Sequence, residues 1–148
     1  MKIALLLHLL GVTVWIGGMF FAYLCLRPAA GALEPPVRLA LWAGTLQRFF
    51  GWVWLSVALI LGSGFHMLTV MAEHARVPLY VHLMLYVGVL MALIFAYVFF
   101  SPFPVLKKAV AAQDWKAGAA ALGRIRVAVA VNLALGLLNI VIATAGAL

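Results

Sequence analysis

Charged residues are so unevenly spaced along this 148-residue chain that four stretches carry none: 3–26, 49–72, 77–106 and 127–148. Each is long enough to cross a bilayer, because about 20 apolar helical residues span roughly 30 Å of hydrocarbon. Composition agrees: 68% of residues are apolar and 9% charged, where a soluble domain carries about 25% charged residues. A soluble globule and a disordered chain are both excluded. The net charge of +7 would suggest nucleic-acid binding in a soluble domain; in a membrane chain it marks loops held on the cytoplasmic side, and no nucleic-acid partner is expected. The single cysteine, Cys25, cannot form an intrachain disulfide, and no zinc-type spacing occurs.

The fold expected is an all-α integral membrane four-helix bundle forming one domain over 1–148, with spans near 3–26, 49–71, 78–100 and 127–147. The first stretch starts like a secretory signal with Lys2, but its apolar run is longer than an h-region. No A-x-A-like site follows Cys25 before Arg27, so it reads as a retained helix. Ser101, Pro102 and Pro104 should end the third helix near Phe100. Between the first two spans, Glu34 and the proline pair break the helix before a short interfacial turn leads into Phe49. Asp114 is placed to N-cap the extension into the fourth span. No internal repeat and no GxxxG pattern occurs.

Orientation follows from the basic residues. Eight lie in the first and third connections (Arg27, Arg38, Arg48, Lys107, Lys108, Lys116, Arg124 and Arg126), against Lys2 and Arg76 on the other side. The positive-inside rule then puts both termini on the non-cytoplasmic side, the periplasmic face of a bacterial-type inner membrane.

That orientation gathers every histidine toward the outer face. His8, His66 and His82 each fall about five residues inside a span, roughly 7 Å below the outer surface at 1.5 Å per residue. His74 lies in the short loop joining spans two and three. Gly11, Val12, Trp15, Gly18 and Met19 share a face with His8 and suit close helix packing. The stripe Arg48, Trp52, Leu55, Leu59, Gly62, Ser63, His66, Thr69 and Glu73 collects most polar groups of span two and should avoid lipid. Around His82 the stripe of Pro78, Leu85, Tyr86 and Val89 is less decisive. On span four, Asn132, Gly136, Asn139 and Ala143 share a face, from which Asn139 could bond a ligand or an imidazole.

A single intramembrane histidine reads as well as a satisfied polar side chain as it does as a ligand. Three at one depth favour a metal or haem site, since neutral imidazole binds copper and haem iron without burying charge. Met67, Met71 and Met84 lie in the same outer third; thioethers suit Cu(I) but are also common packing residues. Trp15, Trp42, Trp52 and Trp54 read as interfacial belts or helix contacts. Cys25, far from the histidines, reads as a small packing residue. Glu34, Glu73 and Asp114 lie outside the spans, which argues against an ion-coupled transporter.

With "HLLGVTVWIGGMFF" closed by Arg27, the central "RFFGWVWLSVALILGSGFHML" and the final "GRIRVAVAVNLALGLLNIVIA", the chain resembles the copper-resistance protein D (CopD) family. The distinctive residues are His8, Trp15, Gly17-Gly18, Arg27, His66 and the Asn132-to-Gly136 segment. The resemblance implies an inner-membrane protein that works with a periplasmic copper carrier, or with another membrane subunit, in copper uptake or tolerance. Larger members have about twice as many spans. HemJ-type protoporphyrinogen oxidases, which bind haem b, share a histidine, tryptophan and glycine-bearing first helix, but their Asn-Glu and proline ending is missing here.

Three functions therefore stand side by side. The first is a copper-handling membrane protein with His8, His66 and His82 as ligands and His74, Met67, Met71, Met84 and Asn139 in support. The second is a haem b protein, with two of the three histidines axial to iron, acting in electron transfer or in porphyrin or superoxide oxidation. The third is a structural subunit without a cofactor. The reading leans away from an enzyme.

Overall fold

The structure, a computed structural model, describes residues 1–147. It is helical apart from short connections, with no strand among the described residues. Helix α1 (Lys2–Phe21) runs into a π-helical segment (Ala22–Leu26) and a last turn, α2 (Arg27–Ala30). The chain breaks over 31–34 and re-enters a helix at α3 (Pro35–His74), followed by α4 (Leu79–Phe100), α5 (Pro102–Ala111) and α6 (Trp115–Gly146). Four helical stretches are long and apolar enough to cross a membrane: Lys2–Ala30, Pro35–His74, Leu79–Ala111 and Trp115–Gly146.

The breaks have local causes. Pro35 and Pro36 occupy the first turn of α3, where the missing N–H groups cost nothing. Pro78 keeps the preceding residue out of the helical region and α4 begins directly after it. At Ser101 the backbone leaves helical geometry and Pro102 opens α5, as the sequence predicts. Between α5 and α6 the Asp114 N–H bonds Ala109 O at 2.9 Å and the Gln113 N–H bonds Val110 O at 3.2 Å. This is a Schellman closure with Gln113 in the left-handed region at φ 57°. The expected N-cap forms too: the Ala117 N–H donates to the Asp114 carboxylate at 3.1 Å.

The first connection differs from expectation. Instead of a turn leading into Phe49, α3 is one uninterrupted helix of 40 residues, about 60 Å long and so twice the hydrocarbon thickness. The extra turns exist because Leu39, Trp42 and Leu46 continue the 3-4 spacing of Phe50, Val53 and Val57, and the whole row is buried.

The helices associate as two antiparallel pairs, α1 with α3 and α4 with α6. Small residues set the first pair: a Cβ on Gly11 would lie 2.9 Å from Ile60 Cγ1, and one on Gly18 would collide with the Phe49 ring. In the second pair Asn132 Nδ2 donates to Met91 O at 3.0 Å and Asn139 Nδ2 donates to Met84 O at 3.2 Å. Seven residues separate the donors and seven the acceptors, so two equal bonds hold one register. The pairs meet through aromatic rings. Phe50 packs edge-on against Phe95 and Phe103, at 5.3 and 4.8 Å between centroids, while Trp15 and Trp54 approach Phe95 at 6.2 and 4.9 Å. Gly136 fits against Ile16 and Met91. Beyond that belt, toward the histidines, no residue of α4 before Met91 and none of α6 after Gly136 is buried.

Candidate functional site

His8 is the histidine that the fold engages. It lies one turn before Gly11 and two before Trp15 on the face of α1 that packs on α3, and it is half-buried. Its Nδ1 lies 3.1 Å from Ile60 O and 3.0 Å from Ser63 Oγ. A carbonyl can only accept, so Nδ1 carries the proton. The Ser63 hydroxyl donates to Leu59 O, one turn back on its own helix, and is left to accept from the imidazole. In the neutral ring Nε2 is then the unprotonated nitrogen, with a lone pair able to bind a cation, and it makes no hydrogen bond among the described residues. The ring lies beside Gly64, where an added Cβ would make ordinary contact with His8 Cε1 at 3.5 Å.

The other histidines are not held across a helix pair as His8 is. His74 Nδ1 bonds Val70 O at 2.8 Å, and His82 Nδ1 bonds Pro78 O at 3.2 Å. His66 is exposed and makes no side-chain hydrogen bond among the described residues. Met67, Met71 and Met84 are partly buried along the same ends of α3 and α4. Asn139 is committed to Met84 O through Nδ2, and its Oδ1 is buried without a partner.

The antiparallel pairing brings the ends of α1, α3, α4 and α6 that carry these residues to one end of the molecule. His8 pairs in height with Ser63, which puts His66 about 4.5 Å farther out along α3. Among the described residues, no group of three or more His, Cys, Asp or Glu side chains is placed to hold a metal ion. His8, His66 and His82 are therefore not gathered into a three-ligand chelate.

The stripe through His66 does not avoid the surroundings of the bundle. Trp52 is 60% and Leu55 49% exposed, and Thr69 and Glu73 lie exposed on the same side. Of the stripe, Ser63 is buried, and with Ser56 it marks the side of α3 on which α1 packs, while the bulky Trp52 and Leu55 stay outside. Tyr86, beside His82, is 67% exposed. Cys25 is also exposed rather than packed. Ser63 is the partner of His8 that the sequence left unassigned; its signal is the serine between two glycines at a spacing that faces His8.

A cavity of about 420 Å³ lies at the opposite end, lined by no histidine. The haem reading finds no support in this arrangement.

The fold defines a multi-pass helical membrane protein in which two antiparallel helix pairs are joined by an aromatic belt. A profile of the family Copper resistance protein D matches residues 43–146, and the chain belongs to that family. The matched segment runs from within α3 to the end of α6 and leaves α1, with His8, outside it. No curated protein and no solved structure matches the chain.

Proposed function

We propose that the chain handles copper as cargo at the histidine end of the bundle, in a bacterial-type inner membrane with that end and both termini toward the periplasm. Membership of the copper-resistance family supports the cargo. The distribution of basic residues supports the orientation. The observation that carries the site is His8: its Nδ1 is held by Ile60 O and Ser63 Oγ, so a neutral imidazole offers Nε2 inside the membrane without burying a charge.

In this reading His8 is the fixed donor. His66 and His82, on separate helix faces, complete the ligand set only when the two helix pairs close at the end where no α4 or α6 residue is buried. Met67, Met71 and Met84 supply thioethers suited to Cu(I), and His74 sits where a periplasmic copper carrier or another membrane subunit would deliver the ion.

The test is copper content. Membranes holding the wild-type protein, His8→Ala, and the triple exchange of His8, His66 and His82 to alanine are loaded with Cu(I), and metal per protein is measured. Stoichiometric copper is expected in the wild type and its loss in the triple variant. Unchanged copper in the triple variant overturns the proposal.

A further inference from the structure

The cavity of about 420 Å³ between the π-helical segment, the start of α3 and α6 is a built site that copper handling does not use. Its walls carry Arg27, Arg38 and Arg126 from three separate helical elements, and none of the chain's three acidic residues lines it. Arg27 is steadied with its guanidinium 4.8 Å from the centre of the Tyr23 ring, and Arg38 donates to Leu33 O at 3.3 Å. The π-helical turn sets both Tyr23 and Arg27 on this wall, a distortion common at functional sites. The remaining lining is apolar and includes Phe49 and Val129.

Three guanidiniums with no acid partner among the described residues, joined to an apolar wall beside the bilayer, fit one ligand chemistry: a phosphate-bearing amphiphile. Arginine forks bind phosphate oxygens bidentately, and basic pockets between membrane helices take anionic headgroups. The volume falls within the roughly 300–1,000 Å³ range of small-molecule sites. We infer that this cleft binds one anionic phospholipid from the leaflet at the basic end of the bundle, its phosphate among Arg27, Arg38 and Arg126 and its acyl chain along Phe49 and Val129. The inference does not depend on the copper reading.

The experiment uses the full chain, purified in a neutral detergent and equilibrated with equal amounts of phosphatidylglycerol and phosphatidylcholine; bound lipid is counted by native mass spectrometry. Phosphatidylglycerol should be retained preferentially. Each arginine near an anionic headgroup contributes about fivefold, so Arg27→Gln with Arg126→Gln should cut that retention at least tenfold. Gly123→Leu should displace the lipid with every charge kept, because a Cβ at Gly123 meets nothing within 4 Å and its side chain grows into the cleft. This variant keeps the inference testable if the arginine pair is needed for folding. Lys107→Gln with Lys108→Gln, basic but outside the cleft, should leave retention unchanged. Equal retention of the two lipids, or a phosphatidylglycerol preference that survives both cleft variants, overturns the inference. Displacement of the lipid by excess inorganic phosphate also overturns it, since the site would then be one for free phosphate.

Discussion

His8 on α1 and Ser63 on α3 meet across the first helix pair, with imidazole Nδ1 3.0 Å from the hydroxyl oxygen. Because Ser63 spends its proton on Leu59 O, the contact fixes both the ring orientation and the tautomer. Ser63→Ala removes one of two acceptors and leaves Ile60 O. The expected cost is about 1 kcal/mol of stability, with Cu(I) affinity lowered about 10- to 100-fold, as for other partners of metal-binding histidines. Thermal unfolding in detergent and a competitive Cu(I) titration measure the two effects. Equal Cu(I) affinity in variant and wild type would detach Ser63 from the site.

Asn132 and Asn139 hold α6 on α4 with equivalent bonds, and each leaves Oδ1 buried and unpaired. Interhelical bonds of this kind in membranes average about 0.6 kcal/mol, so alanine at either position should cost about that much. The two sites are seven residues, about 10 Å, apart along α6, and the double variant should be additive within about 0.5 kcal/mol. Steric-trap or denaturant titration of all three variants decides; strong non-additivity would mean that the pair acts as one network.

Gly17 and Gly18 should respond with opposite signs. A Cβ on Gly17 meets nothing within 4 Å, whereas one on Gly18 collides with the Phe49 ring. Gly17→Ala therefore gains helix propensity, up to about 1 kcal/mol. Gly18→Ala must push the ring aside and should lose about 1–3 kcal/mol as an overpacked contact. Melting temperatures that move in the same direction for both variants would contradict the α1–α3 packing.

Gln113 occupies the left-handed position of the α5 closure at φ 57°. Gln113→Gly removes the steric penalty of a side chain there, about 1 kcal/mol, and should raise the melting temperature without altering copper or lipid binding. A lowered melting temperature would show that the closure is not formed as described.

Cys25 is exposed near the basic end of the bundle and is the chain's only cysteine. In intact cells a membrane-impermeant maleimide should leave it unlabelled, while Ala75→Cys in a Cys25→Ala background should label in the loop between α3 and α4. The reverse pattern would invert the orientation and carry the histidine end into the cytoplasm.

Much of the fold was legible in the charge spacing. The four crossings, the break at Ser101 and Pro102, the Asp114 cap and the shared face of Asn132, Gly136 and Asn139 all follow from local chemistry, and all are present. The length of α3 was hidden, because Arg38 and Arg48 interrupt the apolar run that marks a span but not the inward row of Leu39, Trp42 and Leu46.

The candidate site was legible only in part. Hydropathy does not distinguish a helix face toward lipid from one toward another helix, since both surroundings are apolar, so the polarity of the His66 stripe does not turn it inward. Small residues carry the better signal. Gly11, Gly18, Ser56 and Ser63 mark the faces that touch, and His8 lies among them, whereas Trp52 and Leu55 mark the side that stays outside.

The sequence by itself determined that this protein lives in a membrane, how many times it crosses, and that its histidines gather at one end, because charge and helix length against bilayer thickness settle those matters residue by residue. Tertiary structure alone decided which histidine is held and that Arg27, Arg38 and Arg126 line one cleft. Those are outcomes of how helices rotate about their axes when they pack, and rotation is set by steric fit between side chains distant in the chain.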